Sequence, residues 1–362
     1  MISSPRAPGT APRTPGAPGT SRAPRLLLIS PAFHGYWHSI AGAFARDGND
    51  VTVHRYDAYD TIGDKTRLKA TVELPERLAV GPLRPAGSAR RRAETARLTD
   101  RAIEALRETR PDRVVVIKGD GLDERFWDAL GTTPRILWLY DDLHRHEYTL
   151  DFLRQVGPVV DYARSEAEML REQGVDAHFV PNAFDPHRAA DTGARRPEIA
   201  FIGAGYENRR RILTGLAAQG LPVRAWGRDF SRHPLDRART FSWSRPPLEA
   251  SREVPLERAY QIHAESAAEV AVHGLQNGHA MRTFEIPGMG GVQLVDREDV
   301  AEFYDVGTEV ALWHDEDELA ELCRRALADP AWARGLREAG RRRTLAEHTF
   351  DHRIREVDSL WD

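Results

Sequence analysis

The segment HAMRTFEIPGMGG, His279 to Gly291, sets a carboxylate, a guanidinium and a glycine-rich loop side by side. A carboxylate at a helix start over a sheet edge can accept hydrogen bonds from a ribose diol. A neighbouring guanidinium and loop amides can neutralise a diphosphate beside it. Glu285 and Arg282 have the side chains for these roles, with Asn277 and His279 nearby. Thr283 is expected to cap a helix that begins at Phe284, and at least one of Phe284 and Ile286 should face the core. The plainer reading of Glu285 is a carboxylate that suits the helix dipole. Its position after the apolar strand AEVAVHGL favours the ligand.

A second stretch, FIGAGYENRRRIL, reads as strand, Gly-x-Gly turn and helix start. Gly203 and Gly205 let the backbone turn tightly and approach an anion, toward which helix-start N–H groups point. Tyr206 after the turn and Gly227 after the strand in PVRAWGRD are further candidates for binding the same ligand. Arg209, Arg210 and Arg211 fall in the first helical turn, where each cation opposes the dipole by roughly 0.3–1 kcal/mol. That cost makes sense beside a phosphate; a solvated surface is the alternative. Two of the three fingerprint glycines are present and no acid follows about 20 residues on, so the signal for NAD is weak.

In the first half of the chain, polar groups sit at strand ends: His34 after LLLISPAF, Lys118 and Asp120 after VVVI, Asp141 and Asp142 after ILWLY. His34 or one of the aspartates suits a base that deprotonates a hydroxyl, although loops after strands are rich in Asp for turn reasons alone. Lys118 should pair with a carboxylate or neutralise phosphate. His144 and His146 lack the spacing of a helical metal-ligand pair, and no metal is expected.

The elements that must carry these groups follow from periodicity. RLLLIS, DVTVHRY, DRVVVIKGDG, RILWLYDD, YARS and AHFVPNAF read as buried parallel strands. Helical patterns separate them at His38 to Asp47, Ala93 to Glu108, Asp123 to Leu130 and His146 to Val156. A polar connector follows. The alternation then restarts with EIAFIGAG, PVRAWGRD, the helix LERAYQIHAES, AAEVAVHGL, GVQLVD, EVALWHD and the helix Glu316 to Ala328. A basic helix from Trp332 to His348 and a last one to Trp361 close the chain. This is an α/β protein of two Rossmann-like domains facing across a cleft, where ligands bind at strand ends. The expected division is a tail over 1–24, domains over 25–185 and 198–340, a linker over 186–197 and a closing helix over 341–362. SWSRPP is a candidate loop for contacting a base.

The chain has 362 residues, a net charge of −4 and one cysteine. That charge gives no general attraction to nucleic acid or an anionic membrane, and a single cysteine excludes an intramolecular disulfide. No apolar run approaches a membrane span. The Pro/Gly/Ala-rich residues 1–24 lack the apolar core of a signal peptide, so a disordered tail on a cytoplasmic protein is expected.

MRTFEIPGMGGVQLVD, the following FYDVGTEVALWHDEDELAELCRRALADP and EHTFDHR resemble the C-terminal domain of spore-maturation (CgeB-like) glycosyltransferases. These belong with group 1 glycosyltransferases of the GT-B fold. FIGAGYENRRRIL, VRAWGRD, VVVIKGDG, LWLYDD and FVPNAFDP fit its remaining strands. The resemblance implies transfer of a sugar from a nucleoside-diphosphate donor, without a bound cation, to a hydroxyl acceptor that it leaves unidentified. In the wider group an E-x7-E pair binds sugar and ribose. Glu285 matches the second acid, and Asn277 stands where the first would be. A sugar-nucleotide epimerase of the same fold and a non-catalytic nucleotide-sugar-binding protein are the alternatives.

Overall fold

The computed structural model describes residues 22–32, 35–57, 84–188, 191–241, 243–274 and 276–361. Each half of the chain forms one parallel sheet. In the first, β1 (Arg25–Ser30), β2 (Asp50–Arg55), β3 (Arg113–Ile117), β4 (Arg135–Trp138), β5 (Val159–Asp161) and β6 (Ala177–Phe179) take the order β2-β1-β3-β4-β5-β6. Its helices are α1 (Tyr36–Arg46), α2 (Arg84–Thr109), α3 (Glu124–Leu130), α4 (Leu150–Leu153) and α5 (Arg164–Glu172). In the second, β7 (Arg196–Ile202), β8 (Val223–Trp226), β9 (Glu249–Ser251), β10 (Ser266–Ala271), β11 (Gln293–Val295) and β12 (Ala311–Leu312) take the order β12-β11-β10-β7-β8-β9. Helices α6 (Glu207–Ala218), α7 (Pro234–Thr240), α8 (Leu256–Glu265), α9 (Arg282–Gly288), α10 (Glu316–Ala328), α11 (Pro330–Glu347) and α12 (Phe350–Asp358) belong to that half. The expected pair of Rossmann-like domains is present.

The local reasons are simple. Leu27, Leu28 and Ile29 of β1 are fully buried, as a parallel strand covered on both faces requires. In α1 the buried residues Tyr36, Ser39, Ile40, Ala43 and Phe44 recur at helical spacing. Asp315 caps α10 by accepting from the Glu318 amide, and Asp329 caps α11 from the Trp332 amide, with Pro330 in the first turn. Chain order reverses between β1 and β3 in one sheet and between β7 and β10 in the other. At such points the loops diverge and leave a crevice.

Three expectations need correction. YARS is not a strand: the ladder runs through Val159–Asp161, and α5 already begins at Arg164. The helix expected over His146 to Val156 shrinks to Leu150–Leu153, because His146 turns to Asp120 and the Tyr148 hydroxyl donates to the Lys118 carbonyl. The stretch between PVRAWGRD and LERAY also holds α7 and β9, too short and polar to register as periodic.

One apolar cluster runs through both lobes and includes Tyr140, Phe184, Tyr260, Met281, Phe284 and Ile354. A Cβ on Gly288 would stand 2.5 Å from the Phe184 ring, so α9 lies directly on the end of the N-terminal lobe's chain. The chain turns back at His348 and Thr349, and α12 lies on α1 with Arg46 paired to Asp351 at 2.6 Å. Arg353, buried, donates from Nε to the Pro181 carbonyl at 3.0 Å. No helix of the described residues is long and apolar enough to cross a membrane.

At the opposite seam Asn277 donates from its backbone to Asp142 at 3.0 Å and from its side chain to Glu166 at 2.7 Å. Behind them Asp161 is fully buried and accepts from the Ala163 amide through one oxygen only. Burial, reinforced by Glu166 and Asp142, pushes its carboxyl up to about 8. In the unfolded chain it titrates near 3.9. Stability from this group is therefore complete below about pH 4 and falls by up to roughly 1.4 kcal/mol per pH unit until the folded group ionises. Asp161→Asn should raise the melting temperature at pH 7.5 and leave it unchanged at pH 4, as thermal unfolding of both proteins would reveal.

Candidate functional site

The crevice at the β7/β10 reversal opens into a cleft of about 510 Å³ between the lobes. Gly203, Gly227, Asp229, Arg282 and Glu285 line it from one lobe and Tyr36 from the other. Ile202, Trp226, Val254 and Leu256 give it an apolar wall.

Two glycine turns set its floor. The Gly203 amide donates to the Trp226 carbonyl at 2.9 Å, and the Gly205 amide to Asp229 at 2.8 Å. A Cβ on Gly227 would lie 2.1 Å from the Gly203 carbonyl oxygen, so the two turns touch backbone to backbone. Tyr206 caps α6 by backbone geometry and covers the Arg209 guanidinium, 4.9 Å from its ring centre. Arg209 is buried and spends its donors on the carbonyls of Val272 and Ala204, tying the turn to the end of β10. Arg210 is half-buried, with an Nε that has no hydrogen-bond partner, and Arg211 pairs with Glu316 on the surface.

Glu285 is only 2% exposed. It faces the gap between the lobes, where the Tyr36 hydroxyl donates to Oε1 at 2.8 Å. Its Oε2 lies 3.9 Å from His263 Nε2, an ion-pair distance, and His263 Nδ1 lies 2.5 Å from Glu269 Oε2. Burial and the Glu285 charge hold the Tyr36 hydroxyl well above its usual pKa. Arg282, next along the wall, is half-buried and makes no hydrogen bond or ion pair among the described residues. Burial and the nearby Arg282 charge lower the pKa of Arg209. A guanidinium and a carboxylate thus line one cleft, with Arg209 behind the glycine turn, a set of groups suited to a phosphorylated diol.

Helix α9 begins earlier than expected. The amides of Thr283 and Phe284 already bond to the carbonyls of Ala280 and Met281, so Met281 is the cap and Thr283 lies inside the first turn. Thr283 is buried behind the cleft, 3.3 Å from His273 Nε2 and 3.4 Å from His279 Nδ1. Burial, with Arg297 and His273 nearby, pushes the His279 imidazole down to about 3. Phe284 and Ile286 are both fully buried.

Glu285, Arg282, Gly203 and Gly227 therefore share one cleft, with Gly205, Tyr206, Arg209 and Arg210 building the turn beside it. Asn277 lies in the seam with Asp142 instead. Asp142 is fully buried and accepts from the Tyr162 hydroxyl at 2.5 Å. Lys118 pairs with Asp141 at 2.8 Å, and His146 with Asp120 at 2.6 Å. Lys118 and Tyr140, each just beyond a strand, take positive φ of 61° and 60°. His34 lies outside the described residues. Tyr36, His263 and Glu269 escaped the sequence reading. Tyr36 follows the candidate His34 by two positions in the sequence, but nothing in spacing links His263 to Glu285.

The contact between the two turns gives a direct test. Gly227→Ala should cost about 1–3 kcal/mol of stability through overpacking. Gly274→Ala, whose Cβ would meet only the Tyr206 ring at 3.8 Å, should stay within about 0.5 kcal/mol in the same thermal unfolding assay.

Comparison with known proteins agrees with this fold. Residues 208–359 match a family model described as glycosyl transferase-like. No curated protein matches the chain by sequence. Among solved structures, HepE from Anabaena in complex with UDP and glucose is 12% identical, with TM-score 0.58 over 93% of this chain and 98% of that one. Sucrose-phosphate synthase from Thermosynechococcus elongatus is 14% identical, with TM-score 0.61 over 93% and 98%. AviGT4, a glycosyltransferase involved in avilamycin A biosynthesis, is 16% identical, with TM-score 0.56 over 93% and 97%. The fold is GT-B, and the part of the chain that carries Arg209, Arg282 and Glu285 is the part that matches the glycosyl transferase-like model.

Proposed function

We propose that this protein is a glycosyltransferase that binds a nucleoside-diphosphate sugar in the cleft between its lobes and transfers the sugar to a hydroxyl acceptor held against the N-terminal lobe. The observation that carries the reading is a buried carboxylate, Glu285, and a half-buried guanidinium without a partner among the described residues, Arg282, on one wall of that cleft. Glu285 takes the ribose hydroxyls. Arg282 takes the diphosphate, with the positive field of Arg209 and the amides of the glycine turns behind it. The base lies against Val254 and Leu256. As the glycosidic bond breaks, negative charge gathers on the departing diphosphate, and fixed cations already aimed there stabilise it without reorganisation.

The acceptor base is assigned to the N-terminal lobe, with His34, Asp141 and Asp142 as its candidates. Asp142 is bound on two sides within the seam and suits a strut better than a base. Asn277 is likewise read as part of that seam rather than as a sugar ligand, since its amide is committed to Glu166. The CgeB-like subtype is assigned on MRTFEIPGMGGVQLVD, which lies inside the matched segment.

Thermal unfolding with UDP, GDP, dTDP and CDP tests the reading. The true nucleotide should raise stability by about 2.7 kcal/mol at a hundredfold excess over Kd. Glu285→Ala should weaken binding roughly 10- to 100-fold, the weight of a charged hydrogen bond of ~1.5–3 kcal/mol. Arg282→Ala should weaken the diphosphate about tenfold and leave the bare nucleoside unchanged. Unchanged binding by both variants would sink the assignment. Labelled sugar nucleotide without acceptor separates the alternatives: a transferase slowly hydrolyses it, an epimerase converts the sugar and a binding protein does neither.

A further inference from the structure

Resting on that donor reading, the geometry points to His263 as a positioning residue for the site: held by Glu269, its imidazolium stands behind the Glu285 carboxylate and keeps it aimed at the ribose.

The three side chains come from three elements and meet inside the C-terminal lobe. His263 is in the last turn of α8, Glu269 on β10 and Glu285 in α9. All three are buried. His263 Nδ1 is engaged by Glu269 at 2.5 Å, which fixes the ring plane and turns Nε2 toward Glu285 Oε2 at 3.9 Å. Nε2 has no hydrogen-bond partner of its own, so the Glu285 carboxylate is the anion it faces. A buried carboxylate is expensive unless a charge balances it. Tyr36 supplies a hydrogen bond to Oε1 but no charge. Among the described residues, His263 is the side chain at ion-pair distance from Oε2.

The surrounding groups keep it charged. Burial works against the His263 cation, but Glu269 and Glu285 outweigh it and push it up to about 9. Tyr260 on its own helix and Tyr36 and Tyr140 from the other lobe are held well above the usual phenol range, so all three stay neutral. Asp185 and Arg188 reach Tyr260 from the connector, and Arg282 faces Tyr36 from α9. Below about pH 9 the carboxylate is therefore backed by a cation; above it, by a neutral ring.

Titration of the wild-type protein and the variants His263→Gln and Glu269→Gln from pH 6 to 10 tests this. The ligand is whichever of UDP, GDP, dTDP and CDP the wild type binds, and thermal unfolding confirms that each variant is folded. Wild-type affinity should fall above about pH 9. His263→Gln should bind roughly tenfold more weakly at pH 7, as when an orienting partner of a binding group is lost. In Glu269→Gln the loss of one supporting charge should move the alkaline fall to lower pH by about one unit. A merely structural histidine would lower the melting temperature without moving that limb. If His263→Gln does not fold, the Glu269→Gln limb alone decides. Folded variants with wild-type affinity and an unmoved limb overturn the inference alone. A wild type that binds none of the four nucleotides overturns the donor reading and the inference with it.

Discussion

The buried carboxylate of Glu285 is the constraint around which the rest is arranged. An acid side chain at 2% exposure needs polar partners drawn from its surroundings. It finds them on both sides of the cleft: the Tyr36 hydroxyl from α1 and the His263 imidazole from α8. One side chain thereby couples the closeness of the two lobes to the electrostatics of the ligand cleft. Any motion that opens the lobes must separate Tyr36 from Glu285.

The scaffold makes that arrangement affordable. Parallel strands deliver every following loop to the same sheet edge, and the reversal between β7 and β10 leaves room there. Backbone contact between Gly203 and Gly227 removes side chains from the floor of the cleft. On the far side, Phe184 lies on Gly288, and α12 returns to α1 with Arg46 and Arg353 bound across the join. The seam at Asn277, Asp142 and Glu166 holds the other edge. The lobes are thus tied at both margins and free to form a cleft between them.

Several parts of this were readable from residue order. The apolar run at Leu26 to Ile29 and its counterparts announce buried parallel strands, because only a strand covered on both faces lacks polar alternation. Glu285 and Arg282 were legible as candidates because they follow an apolar strand, at the sheet edge where ligands bind. The start of that helix was misjudged because the carbonyls of Ala280 and Met281 bend the chain before Thr283 can cap it. The role of Arg209 was only half visible: its charge could be seen, but not that its hydrogen bonds go to backbone carbonyls.

What the sequence determined by itself was periodicity, hence the alternation of strands and helices, two sheets and a set of polar groups at their edges. These properties depend on neighbours a few residues apart. Only the tertiary structure decided which edge groups meet. It brought Tyr36 to Glu285 across 249 positions of chain, set His263 behind the same carboxylate and sent Asn277 to the seam. The physical reason is that burial, and with it the strength and sign of an electrostatic interaction, belongs to the packed surroundings of a group and not to its place in the chain.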